Sequence, residues 1–485
     1  MNKCEQKRIM ENSIEQTAFY FHDYETFGIN PAFDRPAQFA GIRTDYNLNI
    51  IDEPTIVYCQ PASDYLPSPE AVLITGITPQ FALAKGICEA EFARIIHNEF
   101  SQPNTCILGY NNIRFDDEVS RNIFYRNFYD PYAYSWKHNN SRWDLLDVVR
   151  ACYALRPEGI EWPTNDRGYT SFRLEDLTTA NHINHQRAHD AMSDVYATIE
   201  MAKLIKQHQP KLFNYFFKLR NKKLVINLID IVNVTPLVHV SGMLGSHRGN
   251  TTLIAPLAWH PYQNDSVIIC DLTGDVDSLI NLSAEQIREK LYTKTADLKE
   301  LESRIPLKLI HCNKCPIIAP TNTLDSKNAK RLGIDLTLCE KNLLKIIQHQ
   351  DLIQQKIIDV YNQQPFFNNT LDVDGQIYQG FFDNYDKSLC SLIQQTAPDN
   401  LSTIHIEPHD LRLKMLFFRY KARNYPFSLT EKEQLQWRDY CRDKLNHETL
   451  THYLVELENL AIHYQLQPKK MELLKALYQY CQSIV

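Results

Sequence analysis

The sequence predicts an α/β domain over residues 1–210, a small β-rich domain over 211–355 and an α-helical domain over 356–485. Three textures carry that expectation. Strand-like and helix-like pieces alternate through the first segment. Short strand-like runs separated by Gly, Asn and Asp follow. After Pro365 apolar residues recur at helical spacing.

In order, the first segment offers a β-prone run at 17–20 leading into Phe21-His22-Asp23-Tyr24-Glu25, with further strands expected at 37–43 and 105–108. Helical spacing marks 91–100, 117–128, 145–154 and 191–205. The middle segment shows strand-like runs at 236–240, 252–259, 266–272 and 307–319. The last shows helices at 410–419, 430–444, 450–464 and 470–484, where Thr430 and Glu433 have the spacing of a capping box. With 14 glycines and no Ser/Gly linker, the three parts are expected to pack together.

Composition narrows the class. The chain has 485 residues, 44% of them hydrophobic, and no apolar stretch near the roughly 20 residues that a spanning helix needs. Its first 13 residues are polar, so neither a membrane span nor a secretory signal is expected, and a cytoplasmic location is. Twelve scattered cysteines read as reduced thiols. Cys312 and Cys315, beside His311, lack the second ligand pair of a structural zinc site and read as two strand residues.

The formal net charge of −7 argues against a nucleic-acid partner until it is divided by region. Residues 1–210 carry −9, residues 211–360 carry +4 and the remainder carries −2. The acidity is local to the first segment.

Acidic chemistry also gathers there. Asp23 and Glu25 lie two apart on an expected strand, so both carboxylates share one face. Close carboxylates repel unless a cation neutralises them. Asn112, Arg114, Asp116, Asp117 and Glu118 follow an expected strand and open an expected helix, whose N-terminus suits negative charge in any case. His189 precedes another helix and Asp194 falls in its first two turns, so both can converge on Asp23.

Asp23-x-Glu25, Asn112-x-x-Phe115-Asp116 and His189-x-Ala191-x-x-Asp194 resemble, in order and spacing, the three motifs of the DEDDh 3′ to 5′ exonuclease superfamily. Five longer stretches resemble its bacterial exodeoxyribonuclease I family more closely. They are Phe-His-Asp-Tyr-Glu-Thr-Phe-Gly, Asp-Arg-Pro-Ala-Gln-Phe, Ile-Thr-Gly-Ile-Thr, Tyr-Asn-Asn-x-Arg-Phe-Asp-Asp-Glu and Ala-His-Asp-Ala-Met. The likeness continues through Pro236-Leu-Val-His-Val-Ser-Gly and Asn313-Lys-Cys-Pro to Arg419-Tyr-Lys-Ala-Arg-Asn, covering essentially the whole chain.

The resemblance implies a ribonuclease H-like exonuclease domain, an SH3-like β-rich domain that guides DNA, and a helical domain that helps enclose the strand. It implies a processive, single-strand-specific 3′ to 5′ exodeoxyribonuclease that releases 5′-mononucleotides in DNA repair and recombination. Two Mg²⁺ ions about 4 Å apart are implied, with Mn²⁺ as a substitute. Asp23 would bridge both ions, Glu25 and Asp194 would complete one site, and Asp116 would act on the second.

His189 would be the general base, since an ordinary imidazole titrates near ~6.5. Asp190 stands where the Tyr branch of the superfamily places its tyrosine, which favours the His branch.

Implied substrate contacts are Thr26, Ile74, Thr75, Gly76, Ile77, Asn112 and Arg114, with the basic, aromatic-interleaved Arg419, Lys421 and Arg423. Arg156 and Tyr215 match residues of a pocket for the acidic, Phe-ending C-terminal tail of single-stranded DNA-binding protein. A monomer is expected. The competing readings are a 3′ to 5′ exoribonuclease, whose relatives are typically shorter chains, and a catalytically silent single-strand-binding protein, which would have lost a ligand or the histidine.

Overall fold

A computed structural model describes residues 17–185, 189–293, 304–362 and 372–484. Contacts divide the chain into two compact units. One joins residues 1–141, 185–199 and 367–485, and the other joins 142–184 and 200–366.

The first unit is built on strands in the order β3-β2-β1-β4, namely β1 (Ala18–Thr26), β2 (Pro36–Thr44), β3 (Thr55–Tyr58) and β4 (Thr105–Gly109). The next strand along the chain is β5 (Ser141–Asp144), of which Ser141 is the last residue of that segment. β1 runs antiparallel to β2 and parallel to β4. Alternate residues of β1 and β2 (Tyr20, Tyr24, Phe39) pack with Phe92, Ile96 and Phe100 of helix Glu89–Phe100 and with Val119, Ile123 and Phe124 of helix Asp116–Arg126. That layer holds β1 rigid beneath its acidic end. The expected strands and helices of this segment are present, each within two residues at either end except helix 191–205, which runs on to His208.

The C-terminal helices belong to the same unit because a buried ion network ties them to the N-terminal segment. Asp374 is paired with Arg35 at 2.9 Å, Arg423 at 2.8 Å and Arg419 at 3.2 Å. Asp64 is paired with Arg423 at 2.8 Å and Lys444 at 2.7 Å. Burial alone would push the Asp64 and Asp374 carboxyls up, yet the surrounding cations hold both well below the usual carboxylate range. The Thr430 and Glu433 capping box forms as expected.

The second unit carries an antiparallel sheet of order β10-β6-β7-β8-β9. Its strands are β6 (Leu237–Val240), β7 (Thr251–Trp259), β8 (Ser266–Asp271), β9 (Leu307–His311) and β10 (Ile317–Pro320). Helix Leu145–Leu155 packs against β6 and β10.

Two expectations are corrected here. The run 307–319 is two strands rather than one, and Cys312 and Cys315 lie in the turn between them, where Cys315 takes φ +47 and its thiol donates to the Arg142 carbonyl at 3.2 Å. The boundary expected after residue 355 falls inside helix Gln350–Tyr361. Among the described residues eleven cysteines are free thiols, and no helix is long and apolar enough to cross a membrane.

The ion network yields a stability prediction. Asp374→Ala leaves three buried guanidinium groups short of their counter-charge and should cost about 3–5 kcal/mol. Urea unfolding should show the midpoint of the first transition falling accordingly, whereas the exposed Asp439→Ala should leave it unchanged.

Candidate metal and nuclease site

β1 presents Asp23 and Glu25 on one face because its side chains alternate, and the buried Tyr24 between them anchors the strand by a hydroxyl contact of 2.9 Å to Ser120. Asp116 opens helix Asp116–Arg126, and its Oδ1 accepts the Tyr24 backbone N–H at 3.2 Å, which fixes the third carboxylate beside the strand. Helix Ala191–His208 supplies Asp194 from its first turn. His189 sits just before that helix, exposed and at φ +65, a left-handed conformation that turns the chain into the site.

The ligating atoms of Glu25, His189 and Asp194 all lie within 4.8 Å of one another. Burial, reinforced by Asp116, Glu25 and Asp194, raises the Asp23 carboxyl well above its usual range. Glu25 is pushed up to about 9, first by burial and then by Asp194, Asp116 and Asp190. Asp194 is raised by burial, against the lowering effect of His185 and His189. Four carboxylates that destabilise one another's charge, with a histidine alongside, form an oxygen-rich donor set that fits hard divalent cations. The five expected catalytic and ligand residues are thus brought together.

One participant was missed. His185 Nε2 lies 2.5 Å from Asp194 Oδ1, with a side chain only 5% exposed. Its signal was a second histidine four residues before His189.

The expected substrate contacts divide. Ile74 is exposed at the end of helix Pro69–Thr75, and Gly76 closes that helix at φ +72 with open space beside it, so this tip can meet a ligand. Arg114 is exposed as well. Thr75 Oγ accepts the Ile77 N–H at 3.2 Å, and Thr26 donates its hydroxyl to the Gly28 carbonyl at 2.6 Å.

Five expectations are corrected. Ile77 is buried in an apolar cluster with Phe27, Leu457 and Leu477, so it braces the turn instead of stacking on a base. Asn112 is fully buried, accepting the Gly109 N–H at 3.0 Å and donating to Asp117 at 3.1 Å, so its amide shapes the loop. Arg419 is held by Asp372 and Asp374, Lys421 by Glu433 at 2.6 Å, and Arg423 by Asp64 and Asp374. All three cations are buried in structural ion pairs and present no basic face.

In the second unit, Arg156 donates to the Thr323 carbonyl at 2.9 Å and Tyr215 to the Ile318 carbonyl at 3.4 Å. Both therefore lie against β10 and the turn after it.

Comparison with known proteins gives a consistent picture. Family models for "Exonuclease", "Exonuclease I SH3-like domain" and "Exonuclease I C-terminal domain" match residues 20–202, 220–363 and 371–484. The chain is 54% identical over 477 residues to exodeoxyribonuclease I of Escherichia coli K12, covering 98% of this chain and 100% of that one. It is 53% identical over 468 residues to the Haemophilus influenzae protein of the same name, covering 96% and 98%.

Among solved structures it resembles E. coli exonuclease I in complex with a dA16 oligonucleotide, with TM-score 0.95 and 54% identity over 97% of this chain and all of that one. A zinc-ion-bound form of the E. coli ExoI–ssDNA complex gives 0.93 and 54%, and an ExoI/SSB-Ct complex gives 0.92 and 53%, each with the same coverage.

The raised carboxyl of Glu25 has a measurable sign. Its proton is held more tightly in the folded chain than in the unfolded one, where the ordinary value is 4.5. The metal-free protein therefore has that contribution in full below about pH 4.5 and loses it as pH rises through about 9. In chelator, Glu25→Gln should melt a few degrees above the wild type at pH 8 and show a smaller fall in melting temperature between pH 5 and 9. Thermal scans across that range check it.

Proposed function

The chain belongs to the exodeoxyribonuclease I family, and on that footing we propose that it removes 5′-mononucleotides processively from the 3′ end of single-stranded DNA, using two Mg²⁺ ions. The observation that carries this reading is the convergence of Asp23, Glu25, Asp116, Asp194 and His189 from one strand and the starts of two helices. Divalent ions held by these carboxylates would supply positive charge against the charge that develops on the phosphate and would lower the pKa of the attacking water.

The protein's own groups do the rest. Asp23 and Glu25, fixed on a rigid strand, define where the cations sit, and Asp194 and Asp116 close the set. His189 accepts the proton from the water as it attacks the terminal phosphodiester, and its exposed position lets that proton pass on to solvent. Ile74 and Gly76 offer a tip against which the last base can rest, and Arg114 lies exposed near the start of the Asp116 helix to pair with a phosphate.

The preference for DNA rests on the family, whose members match this chain along their full length. Arg156 and Tyr215, both set against β10 and its turn, are proposed to receive the C-terminal tail of single-stranded DNA-binding protein. The free thiols suit a reducing cytoplasm, where the enzyme would serve repair and recombination as a monomer.

The test is digestion of 5′-labelled DNA single strands, with matched duplex and RNA as comparisons. Wild type with Mg²⁺ should shorten the single strand from its 3′ end, far faster than the duplex or RNA. Asp23→Ala should lose at least 10³-fold in rate while still binding the strand in EDTA, and His189→Ala should lose roughly 10²- to 10⁴-fold. Undiminished cleavage by Asp23→Ala would contradict the assignment.

A further inference from the structure

We propose that His185 is a positioning residue of the nuclease site, holding the Asp194 carboxylate in the orientation in which it binds a divalent cation. This rests on the reading that Asp194 is a cation ligand of a nuclease.

The need for such a residue comes from the way Asp194 is held. Its backbone is fixed at the start of helix Ala191–His208, where its N–H donates to the Asp190 carbonyl at 3.1 Å and its own carbonyl accepts the Thr198 hydroxyl at 2.8 Å. The Asp190 carboxylate secures the same turn by accepting the Ser193 N–H at 3.2 Å. None of these bonds involves the Asp194 carboxylate, which can turn about two side-chain torsions. Asp116, by contrast, is buried and has its carboxylate tied to the Tyr24 N–H at 3.2 Å, whereas Asp194 is half-buried.

His185 supplies the missing tie. Its Nε2 lies 2.5 Å from Asp194 Oδ1, and its side chain is only 5% exposed against 20% for that of Asp194. The His189 backbone N–H adds a smaller contact to the same carboxylate. Both oxygens of an ionised carboxylate accept and neither donates, so Nε2 carries the hydrogen of this bond. A charge-assisted bond from a ring that burial holds still fixes the acid before a cation arrives. The cost of ordering the ligand then falls on folding and not on binding.

Two other roles fit the geometry less well. The residues whose ligating atoms lie within 4.8 Å of one another are Glu25, His189 and Asp194, and His185 is not among them. A general base must pass its proton on, which the exposed His189 can do, whereas Nε2 of the buried His185 ring is engaged with Asp194. His185 therefore acts through Asp194. Partners that orient a metal-binding side chain in this way typically contribute about 10- to 100-fold in metal affinity.

The test is Mn²⁺ binding to the full-length metal-free protein, read from the electron paramagnetic resonance of the free ion. His185→Ala should weaken Mn²⁺ binding by about 10- to 100-fold, while binding of an oligodeoxythymidylate in EDTA stays at the wild-type level. Saturating Mg²⁺ should return its kcat to within about threefold of the wild type, so that the loss shows in the metal requirement. His185→Gln, whose amide nitrogen can stand where Nε2 stands, should keep most of the Mn²⁺ affinity, and the shorter His185→Asn should resemble the alanine variant. That pair decides the matter if the alanine variant folds poorly. In an Asp194→Asn background, His185→Ala should have no further effect on Mn²⁺.

Unchanged Mn²⁺ affinity in His185→Ala, a glutamine variant no tighter than the asparagine one, a kcat that stays low at saturating Mg²⁺, or an undiminished effect in the Asp194→Asn background would overturn the inference. Digestion of a labelled single strand by the wild type is run in parallel. A wild type that binds Mn²⁺ and leaves the strand intact refutes the functional reading, whereas an active wild type whose Mn²⁺ binding does not depend on His185 refutes only the role of His185.

Discussion

Mutual repulsion among Asp23, Glu25, Asp116 and Asp194 is the constraint on which the rest of this structure depends. Carboxylates free to move would separate or take up protons. Here they cannot separate, because two stand on a strand packed on a helix layer, one is tied to that strand's backbone, and one begins a long helix. The strain is met by protons when no cation is present, and the raised Asp23 and Glu25 carboxyls record it. A fold that holds charge this way is organised around divalent cations.

The same logic, with opposite sign, explains why distant parts of the chain form one unit. Asp64 and Asp374 are buried more deeply than Glu25 and Asp116, yet arginines from residues 35, 419 and 423 surround Asp374, and Arg423 and Lys444 surround Asp64. Buried acids with protein cations become structural, and buried acids without them become a site. The two clusters lie in the same unit and differ chiefly in the company their carboxylates keep.

That distinction marks what could be read in the sequence. Asp23-x-Glu25 was legible because strand periodicity puts both on one face, and the Thr430 capping box because its partners are three residues apart. The order of the acidic motifs was legible through family resemblance, and the sheet and helices of the first segment through hydrophobic spacing.

Arg419, Lys421 and Arg423 were misread as a DNA surface because the acids that bury two of them lie far away, at Asp64 and Asp374, and no local pattern announces such pairing. Ile77 and Asn112 were misread because their motif shares its stretch with the core that supports it. His185 was passed over since a histidine in a loop carries no local mark of the carboxylate it meets.

The carboxylate cluster holds protons that divalent cations displace. The direct measurement is calorimetric titration of the metal-free enzyme with Mn²⁺ at pH 7.5, repeated in buffers of different ionisation enthalpy. About one proton or more per enzyme should be released as the ions bind, and fewer from Glu25→Gln. Binding with no proton release, or the same release from Glu25→Gln, would contradict it.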